Sequence, residues 1–140
     1  MGQRESLNAY LKSVKDKPFE WGKHDCLTFT NNAYRQMYGI GWADDWLGKY
    51  MKDAQLLRRK DLEKEFGFKV KQLPEKISCK LNPINSVPPL GALVTTKKSN
   101  TWIIGVAMGI CTGTKAVFLS KEGLLHLPLN YIHQAWIKKI

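Results

Sequence analysis

Trp21-Gly22-Lys23-His24-Asp25-Cys26 places a cysteine directly after a turn-forming aromatic-glycine loop and at the first position of a predicted helix. A helix start offers unpaired backbone N–H groups and the positive end of the macrodipole, both of which favour a thiolate over a thiol. Cys26 is therefore a candidate nucleophile, and its competing reading is a small apolar side chain packed at a helix start. Asp25 stands where an N-cap residue belongs, with a carboxylate able to accept from the first-turn N–H groups. His24, two residues before the thiol, is one candidate base if the loop curls back on it.

On the N-terminal side, Leu7, Tyr10, Leu11 and Val14 recur at i, i+3, i+4 and i+7, the apolar face of a helix that ends before Lys17-Pro18. On the C-terminal side, Cys26, Phe29, Ala33 and Met37 with Leu27, Thr30 and Tyr34 describe a largely buried helix closed by Gly39. The pattern predicts a third amphipathic helix from Met51 to Phe66 capped by Gly67. A short edge strand over Phe68–Leu73 and an irregular, Pro-containing connection from Pro74 to Pro89 are expected next. Beyond Leu90 the composition changes to short β-rich runs, Ala92–Thr96, Trp102–Met108, Ala116–Ser120 and Leu124–Leu127, a meander of antiparallel strands. A helical turn at Asn130–Gln134 and a last strand over Ala135–Ile140 complete an α+β arrangement, helices first and sheet second.

A length of 140 residues fits one domain over residues 1–140, and a hydrophobic fraction of 44% is enough to build its core. No stretch approaches the roughly 20 apolar residues of a membrane span, and the N-terminus lacks a secretory apolar core, so cytoplasmic synthesis without a signal peptide is expected. Three cysteines, Cys26, Cys79 and Cys111, share no CxxC spacing, which argues for free thiols over disulfides or zinc. Neither a metal nor another cofactor is expected, because consecutive His24, Asp25 and Cys26 do not converge on one ion. The net charge of +10 comes mostly from scattered Lys. It suits an acidic protein or an anionic cell-wall polymer, and it fits nucleic acid poorly because no nucleic-acid motif accompanies it.

The motif Trp21-Gly22-x-His24-Asp25-Cys26, followed by a Gly-x-Leu-Val strand and Gly105-Val106, resembles the NlpC-type cell-wall cysteine peptidases, a branch of the papain-like fold. With Gly48-x-Tyr50, Glu122-Gly123-Leu124 and Ala135-Trp136, it is similar to a set of small proteins encoded among phage and prophage tail genes. The resemblance implies an NlpC-like domain, N-terminal helices packed on a small C-terminal sheet. It also implies a cysteine peptidase or amidase centre, related to peptidoglycan hydrolases, with Cys26 as nucleophile. It implies two kinds of partner, peptidoglycan peptide or phage tail proteins, and a tail-associated location.

The pattern departs from the family at the base, where the family histidine falls on Ile103, which cannot accept a proton. The family tyrosine falls on Phe19, and its Gly-Asp pair on Gly91-Ala92. His126, on a strand of the sheet that carries the base in the family, is the other candidate for that role. Trp21 and Trp42 are expected beside the cysteine as binding residues, with Asp25. Three function classes stay open: a working or degenerate hydrolase, a structural tail-assembly protein with an acidic partner, and a basic nucleic-acid-binding protein.

Overall fold

The computed structural model describes residues 2–96 and 107–139. Helix α1 spans Gln3–Val14 and buries Leu7, Tyr10 and Val14. Helix α2 spans Cys26–Tyr38, starts on Asp25 and stops at Gly39, whose φ of 80° gives the left-handed cap that halts a helix. Both helices follow the apolar spacing. The two pack on each other, joined by the Tyr10 hydroxyl, which donates to the Phe29 carbonyl at 3.1 Å.

The expected helix over Met51–Phe66 is a two-stranded hairpin followed by a shorter helix. Strands β1 (Met51–Lys52) and β2 (Gln55–Leu56) make an antiparallel hairpin around Asp53 and Ala54, both left-handed with φ of 52° and 65°. Helix α3 occupies only Arg59–Phe66, with Gly67 at its C-cap. Periodicity favoured a helix, but Met51, Leu56 and Leu57 all pack against the main core, and the turn lets one short segment deliver them together.

The expected edge strand over Phe68–Leu73 is instead a 3-10 turn at Val70–Gln72. The expected irregular stretch contains helix α4 (Leu73–Lys80) and strand β3 (Leu81–Ile84). Pro74 sits in the first turn of α4, where its missing N–H would have had no partner in any case. Leu73 and Ile77, four apart, bury one face of that helix.

Strands β4 (Leu93–Thr96), β5 (Ala107–Cys111), β6 (Lys115–Ser120) and β7 (Gly123–Pro128) form the antiparallel meander, and β8 (Gln134–Lys138) follows a 3-10 turn at Leu129–Tyr131. The sheet order is β3-β8-β4-β5-β6-β7, antiparallel throughout. Of the expected strand Trp102–Met108, only Ala107 and Met108 fall among the described residues, and they open β5. Trp102, Ile103 and Gly105-Val106 lie outside them. Pro83 is accommodated because β3 is an edge strand, which can spare a ladder N–H.

Strand alternation divides the sheet. Leu93, Met108, Ile110, Val117, Leu119 and Trp136 face the helices and share one core with Leu7, Leu27, Phe29 and Ala33. Val94, Ala107, Cys111, Ala116, Phe118 and Ala135 form a second, smaller core on the other face. The fold is thus α+β, with α2 laid against β5, and that contact brings the start of α2 to the centre of the sheet. Among the described residues, no helix is long and apolar enough to cross a membrane.

Candidate functional site

The loop before α2 is closed on itself. The His24 N–H donates to the Glu20 carbonyl at 2.8 Å, and the Glu20 N–H returns the bond at 3.0 Å. Gly22 makes the turn with a φ of 83°, a conformation that side chains rarely adopt, and a Cβ there would come within 3.0 Å of the Met51 side chain.

Asp25 is fully buried and works as more than a cap. Its Oδ1 accepts the Thr28 N–H at 2.9 Å, and the Thr28 hydroxyl accepts the Asp25 N–H at 2.8 Å, a reciprocal capping box. Its Oδ2 accepts the Gly22 N–H at 2.8 Å and the Tyr50 hydroxyl at 2.5 Å. One carboxylate therefore ties together the loop, the helix start and the segment that opens the hairpin. Burial, then the charge of Asp25, push the Tyr50 phenol far above its ordinary range, so Tyr50 stays a donor.

Cys26 has no exposed surface. Burial first, then the Asp25 charge, push its thiol well above the ordinary value; the N–H groups of the helix start and the main chain of Met108 offset this only in part. The helix-start preference for a thiolate is thus reversed: desolvation and an adjacent carboxylate outweigh the dipole. Cys26 is a protonated thiol in this conformation. The Thr30 hydroxyl donates to its carbonyl at 2.9 Å and accepts the Trp42 indole N–H at 3.1 Å, so Trp42 is fastened to the first turn of α2. Trp42 is buried edge-on against Trp46, and Trp21 is half-buried edge-on against Phe19 at 5.0 Å.

His24 is 1% exposed, and neither ring nitrogen has a hydrogen-bond partner among the described residues. Its ring stands edge-on to Phe29 at 6.4 Å. Burial and, less, the charge of Lys17 push its pKa below the ordinary value against the pull of Asp25, so the imidazole is neutral. His126 lies on β7 opposite Val117, on the helix side of the sheet, with its side chain exposed. Register places it two strands and two residues from the position level with Met108, about 10 Å across and about 7 Å along. The structure therefore gathers Asp25, Cys26, Trp42 and Tyr50 around the helix start, with His24 in the loop before it, and leaves His126 at the sheet edge.

Thr28 is the member that sequence reasoning passed over, and Tyr50 entered only through the Gly48-x-Tyr50 motif, with no role given to it. Thr28 was findable, because Asp25-x-x-Thr28 has capping-box spacing. Tyr50 lies 25 residues from its partner, and no local pattern announces that contact.

A cleft of about 540 Å³ opens elsewhere, at the junction of β3 and β8, lined by Ser78, Ile84, Val87, Ile132, Gln134 and Trp136 among others. None of residues 19–26 lines it, and among the described residues its wall has no Lys, Arg, Asp or Glu. Among the described residues, no group of three or more His, Cys, Asp or Glu is arranged to hold a metal ion.

Residues 2–137 match the model of the family described as Domain of unknown function (DUF6950), and the chain belongs to that family. No curated protein matches the chain.

Proposed function

We propose that this is a papain-like domain of the NlpC type, acting in a phage or prophage tail module as an assembly part, with a cysteine centre that no longer cleaves peptide bonds. The observation that carries this reading is the state of Cys26. It is fully buried beside the Asp25 carboxylate, with its thiol pushed up and no imidazole bonded to it among the described residues. A cysteine hydrolase needs a thiolate within reach of both a carbonyl carbon and a proton carrier, and the carrier alone is worth about 100-fold to 10,000-fold. The +10 charge then serves attachment to an acidic neighbour.

A second reading has one observation in its favour, the buried imidazole of His24 with both nitrogens unpaired, two residues from the thiol. If the loop over residues 19–25 opens, His24 takes the Cys26 proton as the sulfur attacks an amide carbonyl of a wall peptide, then returns it to the leaving amine. Two measurements decide between the readings. Under the assembly reading, purified protein releases no new amino termini from peptidoglycan, and iodoacetamide modifies Cys79 rapidly but Cys26 only after denaturation, with no faster component at about pH 6. Wall cleavage that disappears in Cys26→Ala, or rapid native labelling of Cys26, overturns it.

A further inference from the structure

We infer that three lysines held over an aromatic cluster, Lys49, Lys76 and Lys80 around Trp46, Phe66 and Phe68, form a docking surface for an acidic protein segment. The inference rests on the assembly reading above and gives it a location and a partner chemistry. Trp46 ends a 3-10 turn, Phe66 ends α3, and Phe68 follows the Gly67 cap. Their rings meet pairwise, with centroids 5.8 Å apart for Trp46 and Phe66, 5.9 Å for Trp46 and Phe68, and 5.6 Å for Phe66 and Phe68.

Each ring carries one ammonium group. Lys80 Nζ lies 4.8 Å from the Trp46 centroid, Lys76 Nζ 5.6 Å from Phe68, and Lys49 Nζ 6.0 Å from Phe66. Attraction to the ring faces restrains side chains that would otherwise sample many rotamers, so part of the ordering cost of binding is already met. Lys76 and Lys80, four apart on α4, point the same way. The surrounding sequence is basic: residues 49–80 hold ten Lys or Arg against five Asp or Glu, half of the net +10.

Lys80 alone of the three has an ion-pair partner among the described residues, Asp45 at 2.6 Å. Asp45 is largely exposed and so is exchangeable for a carboxylate from another chain. The aromatic rings decide against nucleic acid. Bases would need open ring faces to stack on, whereas Trp46 is 7% exposed and all three faces lie under ammonium groups. Lysine, a compact point charge on a flexible stem, suits scattered carboxylates better than the bidentate recognition of phosphate.

The test uses the full chain and a short fluorescent polyglutamate peptide as probe, read by anisotropy at low salt. Lys49→Gln/Lys76→Gln is compared with Lys12→Gln/Lys15→Gln, which removes the same charge from the C-terminal end of α1 and its cap, after circular dichroism shows both folded. The patch variant is expected to bind about five-fold more weakly and the control less than about two-fold, the scale of exposed ion pairs. Asp45→Asn, which frees Lys80, is expected to bind about two-fold more tightly. Equal losses in both double variants, no binding by the unaltered protein, or tighter binding of a single-stranded DNA of the same charge would overturn the proposal. Wall cleavage by the same preparation would instead remove the reading it rests on.

Discussion

At the scale of single residues, Asp25 matters more than the cysteine beside it. Its two oxygens satisfy the Thr28 and Gly22 N–H groups and the Tyr50 hydroxyl, and Thr28 and Tyr50 are themselves buried. Asp25→Ala leaves those three donors unpaired and removes the helix cap. The expected cost is about 3 kcal/mol, read as a lowered urea midpoint, and a loss under about 1 kcal/mol would mean that the carboxylate is not buried as described. Tyr50→Phe removes one donor and keeps the cap, for about 1 kcal/mol. His24 sets a pH dependence of known sign. Its folded pKa is lowered by burial and by Lys17, so on acidification through the ordinary value of 6.5 the unfolded chain takes the proton first. The stability linked to His24 is full above that value and is lost as pH falls toward the lowered one. Between about pH 7.5 and about pH 5.5 the unaltered protein should therefore lose more stability than His24→Phe, which has no ring to protonate. Equal losses in the two would show that the imidazole is solvated.

At the scale of elements, the start of α2 and the β-rich runs of the sheet were legible because their causes are local. An N-cap, a terminal glycine and a run of strand-forming residues all lie within a few residues of what they control. The Met51–Phe66 segment misled for the opposite reason. Its apolar spacing suits a helix, but Asp53 and Ala54 turn left-handed to place Met51 and Leu56 against a core built by distant elements. Helix α4 was hidden behind Pro74, which breaks a helix in its middle and fits one in its first turn. The candidate site was legible along the chain and not across it: Asp25 and Cys26 could be read from their order, Tyr50 could not. Gly109 shows how closely the strands are fitted. A Cβ there would be driven into the Val117 carbonyl oxygen and onto the Phe118 ring at 2.6 Å, both on the neighbouring strand β6. Neither can retreat without breaking the ladder. Gly109→Ala is expected to cost about 3 kcal/mol or more and to lower soluble yield, whereas Gly123→Ala, at the open end of β7, meets no neighbouring atom and carries only the strain of its positive φ. Equal stability of the two variants would contradict the close approach of β5 and β6.

At the scale of the molecule, one core joins helices to sheet. Leu7 and Tyr10 of α1, Leu27 and Phe29 of α2, and Met108, Ile110, Val117, Leu119 and Trp136 of the sheet form one contiguous cluster, so neither layer keeps its apolar face covered without the other. Trp136 fixes that union at one end: its indole N–H donates to the Ser78 hydroxyl at 3.0 Å, and that hydroxyl donates to the Pro74 carbonyl, binding β8 to α4. Cooperative unfolding follows. Circular dichroism reads both layers, tryptophan emission reads five indoles that include Trp42 and Trp46 in the helical half and Trp136 on the sheet, and the two signals should trace one urea transition. Trp136→Phe removes the hydrogen bond and part of a fully buried ring, and it should move both signals to a lower midpoint together with the slope unchanged. Two separated transitions in either signal would show instead that the layers are independently stable. The shared core would then be a contact surface between two units, and the burial that keeps Cys26 protonated would depend on their docking.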